Sequence, residues 1–402
     1  HHTHKPPPAS AQETVPMYFD LTDDQQQFVA AARDFAAGEL APHAAQWDAE
    51  HTFPRQAIAT AGALGFCGLY ASETYGGLGL ARLDATLVFE ELAAVDPSTT
   101  AFITIHNMAT WMITSWAKPE IAEQYAPALT AGEQLASYCL TEPGAGSDAA
   151  SLRTTAVLQG DEYVINGEKM FISGAGSTDV LVLMARTGGP GADGISAFLV
   201  PANLPGIQYG KNEEKLGWLS QPTRAISFSD VRIPASHLLG QEGEGFKIAM
   251  KGLDGGRINI ATCSVGGAQG ALNAAAQYMQ ERQQFGKPLA AFQALQFKLA
   301  DMQTELIAAR QMVRLAAYKL DTRSSDASTY CAMAKRFATD ACFQVVNEAL
   351  QLHGGYGYLR EFPLERLLRD LRVHQILEGT NEIMRVIVAR RLLSDRGLDS
   401  LR

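Results

Sequence analysis

The chain has 402 residues, a net charge of −10 and an isoelectric point near 5.4. That length allows two or three domains with ample buried core, and the acidic balance argues against a partner with a phosphate backbone. Five cysteines (Cys67, Cys139, Cys263, Cys331 and Cys342) are odd in number and form no C-x-x-C pair, which excludes a disulfide framework and a cysteine zinc site.

Residues 1–16, opening HHTHKPPPAS, read as a tag remnant and a Pro-rich lead-in. They lack the apolar core of a signal peptide and the arginines of a transit peptide. From 17 to 136 the pattern is helical. Thr22 and Gln25 have capping-box spacing, and Tyr75-Gly76-Gly77 and Asp96-Pro97-Ser98 punctuate Ala-rich amphipathic segments. The period then changes. Runs at 154–158, 163–165, 180–185, 195–200 and 225–228 are β-type, and Asn166-Gly167 predicts a hairpin turn. Residues 137–244 are expected to form an antiparallel β-domain. From 245 to 402 the chain is helical again. The uncharged stretch 258–280 is interrupted by Asn, Gln, Ser, Thr and Gly, so it predicts a buried core helix and not a membrane span. Leu295, Leu299, Met302, Leu306, Ala309, Val313, Ala316 and Leu320 form the seam of a long bundle helix. A helix over 332–352 ends at Gly354-Gly355, and a last helix over 382–393 takes Thr380 as its cap. The fold class expected is mainly α with a central antiparallel β-domain: helical domain, β-domain, helical bundle.

Three runs are candidates for chemistry. In Tyr138-Cys139-Leu140-Thr141-Glu142-Pro143-Gly144-Ala145-Gly146-Ser147-Asp148, small residues let backbone N–H groups approach an anion, and Thr141 adds a hydroxyl. An ordinary interdomain loop would look the same. The run Gln351-Leu352-His353-Gly354-Gly355-Tyr356-Gly357 follows a helix end, and alone it is a C-cap with a Gly-rich connection. Leu377-Glu378-Gly379-Thr380-Asn381-Glu382 puts an acid in a tight turn, but local physics does not rank Glu378 above Glu382 as a base. Arg257, after Gly255-Gly256, and Arg282 are more often solvated charges than ligands.

Taken together, SYCLTEPGAGSD, FISGAG, ERQQFGKPL, LHGGYGY and QILEGTNEIMR, in this order and spacing, resemble the acyl-CoA dehydrogenases over nearly all of the chain after Met17. The stretches TAFITIHNMATWMI, GWLSQPTRA and DGGRINIA resemble the branch acting on short branched acyl groups. The resemblance implies a homotetramer that oxidises isobutyryl-CoA to methacrylyl-CoA in valine breakdown. Electrons would pass to an electron-transferring flavoprotein, and a short-chain or 2-methylbutyryl-CoA substrate is the alternative. It implies FAD between the β-domain and the C-terminal bundle, lined by Tyr138, Cys139, Leu140, Thr141, Gly146 and Ser147. Phe171, Ile172 and Ser173 would pack against the isoalloxazine. Many relatives carry Trp at the position of Phe171, a change that keeps the aromatic wall and removes an N–H donor.

Arg282, Phe292, Gln293, Gln351, Leu352, His353, Gly354 and Gly355 would reach the cofactor across a subunit interface, and Thr380, Asn381 and Glu382 would cap its adenosine side. Ser147, Asp254, Gly255, Gly256, Arg257 and Arg390 would contact the acyl-CoA. Glu378 would be the base, with its own backbone N–H and a flavin hydroxyl stabilising the enolate. In the isovaleryl branch the base sits just before the arginine of this helix. Here that position is Gly256, a glycine explained by φ > 0 or by substrate passing close.

The chemistry accounts for the parts. A carboxylate must reach Cα while a hydride acceptor faces Cβ, so that both bonds break with little rearrangement. An acyl-CoA oxidase shares this half-reaction, but its chains are usually longer. A non-catalytic helical scaffold has no use for Glu378 beside three flavin-lining loops, and a di-iron bundle needs Glu-x-x-His pairs that the chain lacks. No nucleic-acid partner, metal or membrane span is expected. The compartment expected is a bacterial cytoplasm, with a mitochondrial matrix as the alternative.

Overall fold

The computed structural model describes residues 19–394, so the expected lead-in at 1–16 lies outside the described residues. Six α-helices come first: α1 (Asp23–Phe35), α2 (Ala44–Glu50), α3 (Arg55–Ala63), α4 (Arg82–Ala93), α5 (Pro97–Trp116) and α6 (Pro119–Thr130). The capping box forms, with Thr22 Oγ1 accepting from Gln25 N–H at 3.2 Å and Gln25 Oε1 accepting from Thr22 N–H at 3.0 Å. Asp96 caps α5 by accepting from Thr99 N–H at 3.1 Å, and Pro97 occupies the first turn, where no N–H is needed.

The β-strands are β1 (Ala136–Cys139), β2 (Thr155–Gln159), β3 (Glu162–Ser173), β4 (Val180–Arg186), β5 (Ile195–Pro201), β6 (Ile207–Tyr209), β7 (Thr223–Pro234) and β8 (Leu238–Leu239). They join in the order β6-β7-β3-β2-β4-β5-β8, with β1 also on β4. The sheet is mostly antiparallel, as expected, but β1 runs parallel to β4 and β2 meets β4 in parallel at Thr155 and Arg186. The parallel pair follows from the chain leaving the first helices and reaching β4 only after the β2–β3 hairpin.

Asn166-Gly167 is not the hairpin turn. The β2–β3 hairpin closes through residues 160–161, with Gln159 paired to Glu162, while Asn166 and Gly167 lie inside β3 at a bulge against β7. Side-chain pairing decides this: Asn166 exchanges hydrogen bonds with Asp230, donating to its Oδ1 at 3.1 Å and accepting from its N–H at 2.9 Å.

β4 reads as an unbroken apolar run because both faces are buried. Leu181, Leu183 and Ala185 enter the core between strands, while Val180, Val182 and Met184 pack on residues of α5, α6 and the next helix. That helix, α7 (Gly245–Glu281), contains the uncharged stretch 258–280, which is buried as far as Ala268 and beyond it packs Ala271, Leu272, Ala275 and Met279 against neighbouring helices. A short hairpin, β9 (Gln283–Gln284) with β10 (Lys287–Pro288), leads to α8 (Gln293–Asp321), α9 (Ala327–Leu352), α10 (Leu364–Arg372) and α11 (Asn381–Leu392). The expected seam of α8 is buried from Met302 to Ala316, with Leu295, Leu299 and Leu320 partly covered at its ends. Gly354 takes φ +59 just beyond α9, the left-handed position that ends a helix. Thr380 caps α11 through Ile383 N–H at 3.2 Å. Among the described residues no helix is long and apolar enough to cross a membrane.

The loop between β1 and β2 is fixed by a buried ion pair. Lys169 of β3 is wholly buried and donates to Glu142 Oε1 at 2.8 Å and to the Leu140 carbonyl at 2.9 Å. Glu142 also accepts from the N–H groups of Arg153 and Thr154 at 2.6 and 3.0 Å. Burial pulls the Lys169 ammonium below its usual range. Burial pushes the Glu142 carboxyl up, but the ammonium and these N–H donors outweigh it and hold the group low. Lys169→Met strips the cation from a buried carboxylate and should cost about 3 kcal/mol. A urea-unfolding midpoint unchanged from wild type would show that the backbone donors suffice.

Candidate active site

The β-domain, α5, α7 and the turn before α11 enclose a cavity of about 360 Å³. Its wall holds Tyr138, Leu140, Thr141, Gly146 and Ser147 from the first loop, Phe171, Ile172 and Ser173 from the end of β3, and Arg257, Glu378 and Gly379. Cys139 is absent from the wall because alternation along β1 turns its thiol into the β-core. Ile105, Met108, Trp218, Phe246, Met250, Leu253, Leu377, Ile383 and Ile387 add an apolar lining. Apart from Leu377, which opens one of the candidate runs, none of these was singled out in the sequence, since nothing distinguishes such residues from core.

Three wall residues have left-handed backbone without being glycine: Phe171 (φ +58), Trp218 (φ +54) and Glu378 (φ +57). Each is sterically costly and persists only where its surroundings fix it. Phe171 follows Met170, whose N–H donates to the Thr141 carbonyl at 2.8 Å. Trp218 N–H donates to Asp370 Oδ1 at 2.7 Å, and its indole N–H lies 3.3 Å from His374 Nε2. The Glu378 carbonyl accepts from Arg257 Nε at 3.3 Å.

Glu378 Oε2 is shut off from solvent and has no hydrogen-bond partner. Burial raises the carboxyl to about 7, against the pull of Arg257 and Lys335. Glu382 differs, with a side chain 81% exposed and Arg385 Nη1 3.9 Å from its carboxylate. Tertiary structure thus separates two acids that sequence could not. Gly256 lies on α7, where an ideal Cβ would stand 2.6 Å from Glu378 Oε2. Its backbone is helical, so φ > 0 does not explain the glycine, and the group that comes close to it is the Glu378 carboxylate, not the substrate that the sequence suggested.

Arg257 donates to Asp254 Oδ1 at 3.0 Å, and Asp254 Oδ2 accepts from Ser328. Asp254 and Gly255 lie outside the cavity wall, and a Cβ on Gly255 would fall 1.9 Å from Arg82 Nη1. Arg390 is exposed on α11, on the helix face of Ile383 and Ile387 but one turn further out. Thr380 is spent on its cap, and Asn381 is buried, donating to Thr339 and Asp340 and accepting from Lys335.

A second cavity of about 570 Å³ lies at the far end of α7 and is lined by Arg282, Gln351, Leu352, His353, Gly354, Gly355, Tyr278 and Tyr356. His353 stacks on Tyr278 with centroids 4.3 Å apart, and Arg282 lies over Tyr356 at 5.4 Å. Phe292 sits beside Lys287 and Phe285, and Gln293 is exposed at the start of α8. The expected cofactor residues that line a cavity therefore fall into two groups within one chain, which share no lining residue.

The patterns of the N-terminal, middle and C-terminal domains of acyl-CoA dehydrogenase match residues 22–133, 137–231 and 243–393. The chain belongs to the acyl-CoA dehydrogenase family. It is 53% identical over 93% of its length to the mitochondrial isobutyryl-CoA dehydrogenase of Dictyostelium discoideum, covering 90% of that protein. It is 51% identical to the Bos taurus enzyme of the same name, with 93% and 90% coverage. Butyryl-CoA dehydrogenase from Megasphaera elsdenii superposes with a TM-score of 0.91 at 39% identity, covering 94% of this chain and 100% of that one. This acyl-CoA dehydrogenase is an oxidoreductase and uses FAD.

The cavities fit that cofactor. Gly144, Gly146, Gly354 and Gly355 each have open space where a Cβ would point, leaving backbone free for a ligand to approach. Phe171 is 60% exposed, and the Tyr138 hydroxyl is buried without a partner.

The sign of the Glu378 shift can be measured. Its carboxyl lies above the ordinary 4.5, so ionisation in the fold is unfavourable, a cost present above about pH 7 that disappears as pH falls below 4.5. The Glu378→Gln protein should melt higher than wild type at about pH 8, and the gap should close towards about pH 5. A constant gap in calorimetry would contradict a raised carboxyl.

Proposed function

We propose that this dehydrogenase oxidises a short branched acyl-CoA, isobutyryl-CoA to methacrylyl-CoA, with Glu378 as the base. The observation that carries this reading is a carboxylate shielded from water and poised near 7 in the wall of the cavity that holds Phe171 and Ser173. A base works best with a pKa near the working pH, and burial supplies that here. The substrate branch rests on the two isobutyryl-CoA dehydrogenases at 53% and 51% identity.

Tyr138 to Thr141, Gly146, Ser147, Phe171, Ile172 and Ser173 would hold the flavin, whose chemistry when bound is to accept the hydride leaving Cβ. Glu378 takes the proton from Cα, and the Cα–Cβ double bond forms as both leave. Arg257 steadies the Glu378 carbonyl, and the apolar residues Ile105, Met108, Leu253 and Leu377 exclude water that could compete as a base. Ser147, Asp254 to Arg257 and Arg390 would contact the acyl-CoA.

We further propose a homotetramer in which Arg282, Phe292, Gln293 and residues 351–355 complete a neighbour's cofactor site. Thr380 and Glu382 would lie near the adenosine end, while Asn381 would act through its buried anchors. Exposed Phe285, Phe297 and Tyr358 on the C-terminal bundle are consistent with a further subunit contact. Electrons would leave to an electron-transferring flavoprotein, in the energy metabolism of valine.

In a panel of acyl-CoA substrates, isobutyryl-CoA should give the highest kcat/KM with an electron-transferring flavoprotein as acceptor. A higher value for butyryl-CoA would overturn the branch, and rapid hydrogen peroxide release would favour an oxidase.

Glu378→Gln should keep FAD and lose activity by more than the ~10²–10⁴ usual for one base, since apolar side chains keep water from taking over at the buried Glu378 oxygen. More than about a tenth of wild-type turnover, far above that range, would remove Glu378 from the role. Gly256→Glu in a Glu378→Gly background should recover part of the rate, because the two positions face the same point. Normal binding of a substrate analogue without faster flavin reduction than the single variant would refute that equivalence.

A further inference from the structure

The turn that carries Glu378 is held by two buried cations from different helices. Arg257 of α7 donates to the Glu378 carbonyl, and Lys335 of α9 donates to the next carbonyl, that of Gly379, at 2.8 Å. Lys335 is wholly buried and spends a second N–H on Asn381 Oδ1, also at 2.8 Å. Asn381 is itself tied back to α9, donating to Thr339 Oγ1 at 2.9 Å and to Asp340 Oδ1 at 2.8 Å. Glu378 and Gly379 both have left-handed backbone, φ +57 and +88, so the turn has little intrinsic preference for this shape.

We propose that Lys335 is a positioning residue for Glu378: its ammonium fixes the strained turn that aims the carboxylate into the cavity, and it stands as the second cation acting on that carboxylate. The inference rests on the reading of Glu378 as the base. A neutral side chain of the same length would leave the Gly379 carbonyl and the Asn381 amide without their donor, and the turn could relax. The charged and titratable groups around it are known. Glu378, Arg257, Asp340, Glu382 and His374 face Lys335, while Arg257, Tyr70 and Tyr138 also face Glu378. Burial lowers the Lys335 ammonium to about 8, with Glu378 the leading opposing influence, so it is mostly charged at about pH 7 and below. Loss of that cation must raise the Glu378 carboxyl further.

The test uses the FAD-loaded full chain. Titration of the Glu378 carboxyl is read by infrared difference against Glu378→Gln, which needs no substrate, and flavin reduction by isobutyryl-CoA is read separately. Lys335→Met should keep its flavin, raise the Glu378 titration by about one unit and slow flavin reduction by about 10–100-fold. Its KM should stay within about threefold of wild type, because the lost interaction acts on the reacting geometry. Lys335→Arg should return the titration towards wild type while restoring only part of the rate. A purely structural role would lower the melting temperature and flavin content while leaving the titration in place, and that result overturns the proposal. If Lys335→Met does not fold, Asn381→Ala decides: slower flavin reduction with an unmoved titration supports the brace, and a wild-type rate overturns it. Should wild-type flavin resist reduction by every acyl-CoA, the base assignment falls, and the infrared shift in Lys335→Met still decides whether Lys335 governs this carboxylate.

Discussion

The site depends on one constraint: a carboxylate must sit away from water and still be able to ionise. Raising Glu378 from 4.5 to about 7 corresponds to about 3 kcal/mol of unfavourable ionisation, a large fraction of the net stability of an ordinary domain. Without Arg257 and Lys335 the group would rise further and remain protonated at neutral pH. With a direct ion pair it would fall to the ordinary carboxylate range. Both cations instead bond to backbone carbonyls of the turn, so they act on the carboxylate through space without neutralising it.

A buried cation also fixes another wall, here through a direct ion pair. Lys169 reaches the Leu140 carbonyl and the Glu142 carboxylate, and so fixes the loop that leads to Gly146 and Ser147. Trp218 is held by Asp370 and His374, and His374 Nδ1 meets Ser264 Oγ at 2.7 Å. Three walls of one cavity are each pinned by buried polar groups whose partners come from another element. This pays conformational strain at Phe171, Trp218 and Glu378 with hydrogen bonds that are strong because they are dry.

Small residues make this closeness possible. Gly256 leaves the 2.6 Å that a Cβ would otherwise contest with the Glu378 carboxylate, and Gly255 leaves room for the Arg82 guanidinium, which lies over the Tyr70 ring at 3.6 Å. α7 therefore presents two consecutive glycines where the Glu378 carboxylate and a buried cation press on it. Each glycine weakens the helix slightly, a cost accepted for close approach.

Local chemistry was legible in the sequence. Thr22 and Thr380 announce helix starts because a cap is made within three residues, and the α8 seam shows because helical burial repeats at a fixed period. The β-domain was visible as a change of period, and FAD and Glu378 came from five ordered motifs and not from any single residue. What the sequence could not decide was made by distant pairs. Lys335 meets Gly379 across 44 positions, Lys169 meets Glu142 across 27, and Trp218 meets Asp370 across 152. In sequence those lysines look like solvated surface charges, and Asn166-Gly167 looks like a turn until Asp230 bonds to it across the sheet. Burial ranks Glu378 over Glu382, and burial is a property of the assembled chain: desolvation depends on every atom that excludes water from a group, and most of those atoms are far away in sequence.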